Sequence, residues 1–128
     1  MNGDIVSDIN LESLITFHRS MKNSLTVVLK PVQKQASFGE VSLKNYQITN
    51  IEEKEIKTSF INAGIYCLDK NVYNYVKKKN TKLNMDLLIK RVILNKLKVG
   101  GYPMLEFWMD IGNKTSLEKI RNIFKKKN

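Results

Sequence analysis

Two aspartates near opposite ends of the sequence each lie close to a glycine: Asp4 in Met1-Asn2-Gly3-Asp4, and Asp110 in Phe107-Trp108-Met109-Asp110-Ile111-Gly112. Glycine lets the backbone approach a ligand closely, because there is no Cβ to hold it off. Two carboxylates from distant segments suit a hard cation such as Mg²⁺, which is commonly held by one or two carboxylates while phosphate oxygens fill the rest of its shell. Taken singly, an Asp beside a Gly is most often a turn or capping residue. The chemistry therefore depends on whether the fold brings together two segments 106 positions apart (110 − 4).

The elements available to do so alternate between strand and helix patterns. Asn10 reads as an N-cap, with Ile9 and Leu14 as a hydrophobic staple around it. Leu11, Leu14, Ile15, His18 and Met21 then repeat at helical spacing, predicting one buried stripe on which His18 packs rather than acts as a base. Residues 25–32 form a β-rich run ended at Pro31. Residues 38–43 and 46–51 read as two strands of a hairpin turning at Lys44-Asn45, and residues 60–68 as another strand. Asp69 or Asn71 caps a short helix through Val72, Tyr75 and Val76. Asn84 opens a second helix with Met85, Leu88, Ile89, Val92 and Leu97 inward. Gly100-Gly101 breaks that region, residues 102–108 return as strand, and Asn113 or Thr115 caps a last helix bearing Leu117, Ile120, Ile123 and Phe124. The pattern is α/β, with a mostly parallel sheet and one antiparallel hairpin.

Bulk properties narrow the class. The 128 residues are one domain or part of one, and 42% hydrophobic content supports a core. No apolar run approaches the roughly 20 residues of a membrane span, and no signal-peptide pattern opens the chain. One cysteine, Cys67, and one histidine, His18, leave neither an internal disulfide nor a zinc ligand set. Cys67 reads as inert core, and a reducing cytoplasm is the expected compartment. The net charge of +10 invites a nucleic-acid reading. Against it, the only arginines are Arg19, Arg91 and Arg121, and the lysine runs 77–79 and 125–127 fall at helix ends, where cations complement the dipole.

Five short motifs occur in a fixed order: Asn2-Gly3-Asp4, Phe38-Gly39, Glu52-Glu53-Lys54, Asn62-Ala63-Gly64-Ile65-Tyr66 and Trp108-Met109-Asp110-Ile111-Gly112. Together they make the chain resemble the carboxyl-terminal half of the sugar-1-phosphate nucleotidyltransferases. Within these, the resemblance is to mannose-1-phosphate guanylyltransferase-like enzymes and related bacterial enzymes for heptose or nonulosonate precursors. It implies a Rossmann-like, glycosyltransferase-A-like fold in which residues 1–128 are the sugar-phosphate- and metal-binding part. It further implies that Asp4 and Asp110 are catalytic Mg²⁺ ligands. Glu53 would bind sugar hydroxyls, Lys54 the sugar or its phosphate, and Gly39 and Asn62 would line the sugar pocket.

Two departures stand out. Glu55 occupies the place of the family's proline after Glu-Lys, adding negative charge near an anionic substrate. No glycine-rich loop cradling a triphosphate is present either, since Gly100-Gly101 has neither the motif nor its spacing. The resemblance implies an intact parent enzyme that converts NTP, with GTP ahead of the others, and a sugar 1-phosphate into NDP-sugar and pyrophosphate. The 128 residues alone are expected to be inactive, with a second copy or a separate amino-terminal half as partner, and with no nucleic acid or membrane. The runner-up is a catalytically inactive remnant serving as a regulatory or interaction subunit, and the third reading is a basic nucleic-acid-binding module.

Overall fold

The computed structural model describes residues 1–35, 40–52, 56–76 and 84–125. The chain divides into two compact units, one of residues 1–30 with 62–128 and one of residues 31–61. In chain order the first elements are β1 (Ile5–Ser7), α1 (Leu11–Ser20), β2 (Leu25–Gln35), β3 (Glu40–Lys44), β4 (Gln47–Glu52) and β5 (Ile56–Leu68). A 3-10 turn over Lys70–Tyr75 leads to α2 (Met85–Leu94), β6 (Val99–Pro103), β7 (Trp108–Asp110) and α3 (Lys114–Lys125).

The larger unit is built on a sheet of order β5-β2-β6, in which β2 and β6 run parallel from Leu25↔Val99 to Leu29↔Pro103. Period-two alternation sends its side chains into two cores, one on each face. One core joins Val28, Ala63 and Ile65 of the sheet to Ile5 of β1, Leu14 of α1 and Met104. The other joins Leu25 and Val27 to Val72 of the 3-10 turn and to Leu88 and Val92 of α2. Helical elements thus cover both faces of the sheet at these residues.

The caps at Asn10 and Asn84 form as read, and of Asn113 and Thr115 it is Asn113 that caps the last helix. Each asparagine side-chain oxygen accepts from the backbone N–H three residues on, at 2.9, 3.2 and 2.9 Å respectively. The inner stripe of α1 is narrower than its spacing suggests, for Leu14 and His18 are buried while Leu11, Ile15 and Met21 are exposed. His18 packs, as expected, within a polar cluster: Nδ1 lies 2.8 Å from Thr26 Oγ1 and Nε2 3.1 Å from Asp69 Oδ1. That draws Asp69 away from capping the next turn, where its side chain makes no cap hydrogen bond.

Several boundaries differ from the sequence reading. β2 runs through Pro31, because its ladder with β6 ends at Leu29 and no β6 partner needs the missing N–H. Gly100 and Gly101 lie inside β6 rather than breaking it. Their bare backbone is required there: a Cβ on Gly100 would run into the Asn23 amide, and one on Gly101 would come within 2.6 Å of Leu29 Cδ1. The strand does not continue to Trp108, since β6 stops at Pro103 and β7 starts at Trp108, pairing antiparallel with β1.

In the smaller unit the hairpin turns at Asn45 and Tyr46, one residue later than expected. Both have positive φ, 50° and 64°, matching the right-handed strand twist that two-residue hairpin turns follow. Tyr46 therefore leaves the strand and is fully exposed. Among the described residues, no helix is long and apolar enough to cross a membrane.

Candidate functional site

β1 and β7 are only three residues each, yet their pairing brings the two acidic motifs together. The register sets Ile5 opposite Asp110, and the Ile111 N–H donates to the Asp4 carbonyl oxygen at 2.8 Å, one step beyond the ladder. Both aspartates are exposed. A Cβ placed on Gly112 would lie 3.0 Å from Asp4 Oδ2 and 3.0 Å from Asp110 Oδ1, so these oxygens are at most 6.0 Å apart (twice 3.0 Å). The Gly112 N–H donates to Asp110 Oδ1 at 2.8 Å, closing a tight turn that fixes the direction of that carboxylate.

β5 anchors both acidic strands. The Asn2 N–H, two residues before Asp4, donates to the Gly64 carbonyl at 2.8 Å. The Trp108 indole N–H, two residues before Asp110, donates to the Ala63 carbonyl at 2.8 Å. Trp108 also packs against the first core, so apolar burial and a hydrogen bond act on one side chain. Asn62 opens this same stretch of β5. Its Oδ1 accepts from the Gly64 N–H at 3.0 Å and its Nδ2 donates to the Tyr66 hydroxyl at 3.0 Å. Asn62 thus holds the bend of β5 while remaining solvent-exposed.

Gly64 is the residue at which this bend demands glycine. Its φ is +72°, and a Cβ there would stand 2.8 Å from the Asn2 side-chain nitrogen. Gly64→Ala is expected to cost about 1–2 kcal/mol from the left-handed backbone alone and to push Asn2 aside. A denaturant melt with an unchanged midpoint, and unmoved Asn2 and Asp4 amide resonances, would contradict this account.

Of the other residues singled out in the sequence, Gly39, Glu53 and Lys54 lie outside the described residues, as does Glu55. Sequence reasoning overlooked Lys30. Its Nζ donates to the carbonyls of Leu105 and Glu106 at 3.2 and 2.8 Å, tethering the loop that delivers Trp108. The only signal was a lone lysine at the end of an apolar run. Cys67 is partly buried against the first core. Burial first, and the charge of Asp69 second, push its thiol pKa up, outweighing the opposing Arg19. A thiol held protonated at neutral pH is a poor nucleophile.

The arrangement fits a hard cation in part. Two exposed carboxylates each place an oxygen beside the spot that a methyl group on Gly112 would crowd. Mg²⁺ often takes just one or two protein carboxylates and leaves the remaining positions to water and substrate phosphates. Among the described residues, no group of three or more His, Cys, Asp or Glu forms a complete protein ligand set. A pair of carboxylates of this kind leaves most positions around a cation to ligands from outside the protein.

Comparison with known proteins agrees with the motif order. The nucleotidyl transferase family profile matches residues 1–127. The chain belongs to the nucleotidyl transferase family. It is 28% identical over 115 residues to the mannose-1-phosphate guanylyltransferase catalytic subunit beta of Drosophila melanogaster, covering 88% of this chain and 31% of that protein. It is 26% identical over 117 residues to the mannose-1-phosphate guanyltransferase of Gibberella zeae, covering 88% and 32%. The chain therefore spans about a third of the length of the curated relatives it matches.

The fold is shared with solved nucleotidyltransferase structures. A Bacillus anthracis protein described as a glucose-1-phosphate thymidylyltransferase, crystallised with sucrose, superposes with a TM-score of 0.64 at 24% identity, covering 94% of this chain and 51% of that one. HddC from Yersinia pseudotuberculosis superposes with a TM-score of 0.63 at 20% identity, covering 97% and 53%. The nucleotidyl transferase chain thus has the α/β architecture with a mixed sheet that its sequence pattern implied.

Proposed function

We propose that these residues form the sugar-phosphate- and metal-binding part of a cytoplasmic nucleotidyltransferase that makes NDP-sugar and pyrophosphate from NTP and a sugar 1-phosphate. The observation that carries this reading is the approach of Asp4 and Asp110 to one another across Gly112, on strands that β5 anchors at Ala63 and Gly64. Mannose 1-phosphate and GTP are the first substrates to test, given the names of the curated relatives.

In the proposed reaction a phosphate oxygen of the sugar 1-phosphate attacks the α-phosphorus of the NTP, and the α–β bridging oxygen leaves with pyrophosphate. Anionic groups must meet for this to happen, so their repulsion has to be offset. Mg²⁺ held by Asp4 and Asp110 would supply that positive charge. The protein's own contribution is positioning. Gly112 orients the Asp110 carboxylate, Trp108 and Asn2 hold the acidic strands to β5, and Asn62 keeps the adjacent bend in shape. Gly39, Glu53 and Lys54 complete the proposal as the sugar-contacting residues, with Lys54 adding positive charge and Glu53 accepting from sugar hydroxyls.

The test is to add mannose 1-phosphate and Mg²⁺ to the full chain while following backbone amide resonances. Changes centred on residues 2–4, 62–64 and 110–112 are expected, and changes confined to other regions would overturn the assignment. The 128 residues contain no glycine-rich loop to place a triphosphate, and without placement the rate advantage of preorganised reactants is lost. The purified chain by itself is accordingly expected to release no pyrophosphate from GTP and mannose 1-phosphate. Turnover by the chain alone that disappears in Asp110→Ala would refute this.

A further inference from the structure

We infer that Gly112 is a positioning residue for the cation, acting through the space that its missing side chain leaves between Asp4 and Asp110. The inference rests on the reading of those two aspartates as metal ligands, and it assigns a separate role to a residue that is not itself a ligand. Two features single out Gly112. Its absent Cβ would sit 3.0 Å from an oxygen of each aspartate, closer than carbon and carboxylate oxygen ordinarily pack. Its backbone N–H also holds Asp110 Oδ1 at 2.8 Å. The same residue thereby aims one carboxylate and keeps clear the region that both carboxylates border.

A methyl group at Gly112 has two ways to be accommodated. It stays, and occupies space beside both oxygens, or the carboxylates rotate away from it. Either outcome separates a cation from one or both of its ligands while leaving Asp4 and Asp110 in the chain. The backbone itself does not oppose the change. Among the described glycines Gly64 alone has positive φ, so alanine fits the conformation at Gly112. Asp86 provides an internal control, because it is an exposed carboxylate on α2, which packs on the opposite face of the sheet.

Mn²⁺ alone serves as the probe, read by paramagnetic broadening of backbone amide signals in the full 128-residue chain. In the unmodified protein, the signals of Ile111, Gly112 and Ile5 are expected to broaden first. Gly112→Ala should weaken Mn²⁺ binding by about 10- to 100-fold, the range seen when residues that orient metal ligands are changed. Asp86→Ala should leave it within about twofold, as surface changes away from a site do, and Asp110→Ala should abolish it.

Broadening that Asp110→Ala abolishes and Gly112→Ala leaves intact would overturn the role of Gly112 while retaining the metal site. No broadening near these residues in the unmodified chain would overturn the metal reading, and the inference with it. Should Gly112→Ala fail to fold, judged by loss of the native Trp108 indole and Ala63 signals, the unmodified chain still decides. A Gly112 amide that outlasts its neighbours as Mn²⁺ is added would refute a cation lodged against it.

Discussion

Replacing Asp110 by alanine is expected to lower pyrophosphate release by on the order of 10²–10³-fold in protein that also carries the triphosphate-binding half. A cation that stabilises transition-state charge contributes several kcal/mol, and each 1.36 kcal/mol is a factor of ten in rate. Removing one of only two protein carboxylates should forfeit most of that contribution. The fold should not suffer, because Asp110 is exposed and its side-chain partner is the N–H of its own turn. Asp86→Ala, in the first turn of α2, is the comparison, since α2 packs on the opposite face of the sheet. Steady-state assays of the two variants beside thermal melts provide the check. A loss of less than about tenfold for Asp110→Ala, set against the several kcal/mol expected, would remove it from the catalytic centre. So would a loss that tracked a fall in melting temperature.

Ile65→Ala is expected to have the largest effect on stability, about 2–5 kcal/mol, the range for large-to-small changes in a closed core. Ile65 is 2% exposed and shares one cluster with Val28, Leu14, Ile5 and Met104. That cluster joins the sheet to α1 and to β1, so a cavity there loosens the strand that carries Asp4. The melting midpoint should fall by on the order of 10 °C, and amide exchange should accelerate in β1 and β7 before α2. Exchange that rises equally in α2, which packs on the other core, would show that the two cores do not respond separately.

The local chemistry of this chain was legible in its sequence. Asn10, Asn84 and Asn113 are caps because an asparagine oxygen satisfies an otherwise unpaired helix N–H, a requirement within four residues. The runs that become β2 and β5 were legible as strands from their β-branched and aromatic residues, though not their full lengths. The burial of His18 followed from its place on the stripe of α1, although its hydrogen bonds to Thr26 and Asp69 did not. The motif order pointed to the family, and residues 1–127 match it.

What the sequence left open depended on contacts between distant segments. Gly100 and Gly101 resemble a break, since glycine weakens a strand by itself; only the closeness of Asn23 and Leu29 explains why β6 requires them. Pro31 resembles a stop, until the β2–β6 ladder is seen to end at Leu29. Asp4 and Asp110 are ordinary loop aspartates when considered separately. Their approach is decided by a three-residue ladder and by the carbonyls of Ala63 and Gly64, none of which leaves a periodic trace. Residue type and spacing determined the helices, their caps and the two longest strands, because such signals act over a few bonds. Tertiary structure alone decided the distance between the two carboxylates and the need for a bare backbone at Gly112, because both depend on atoms brought together from opposite ends of the chain.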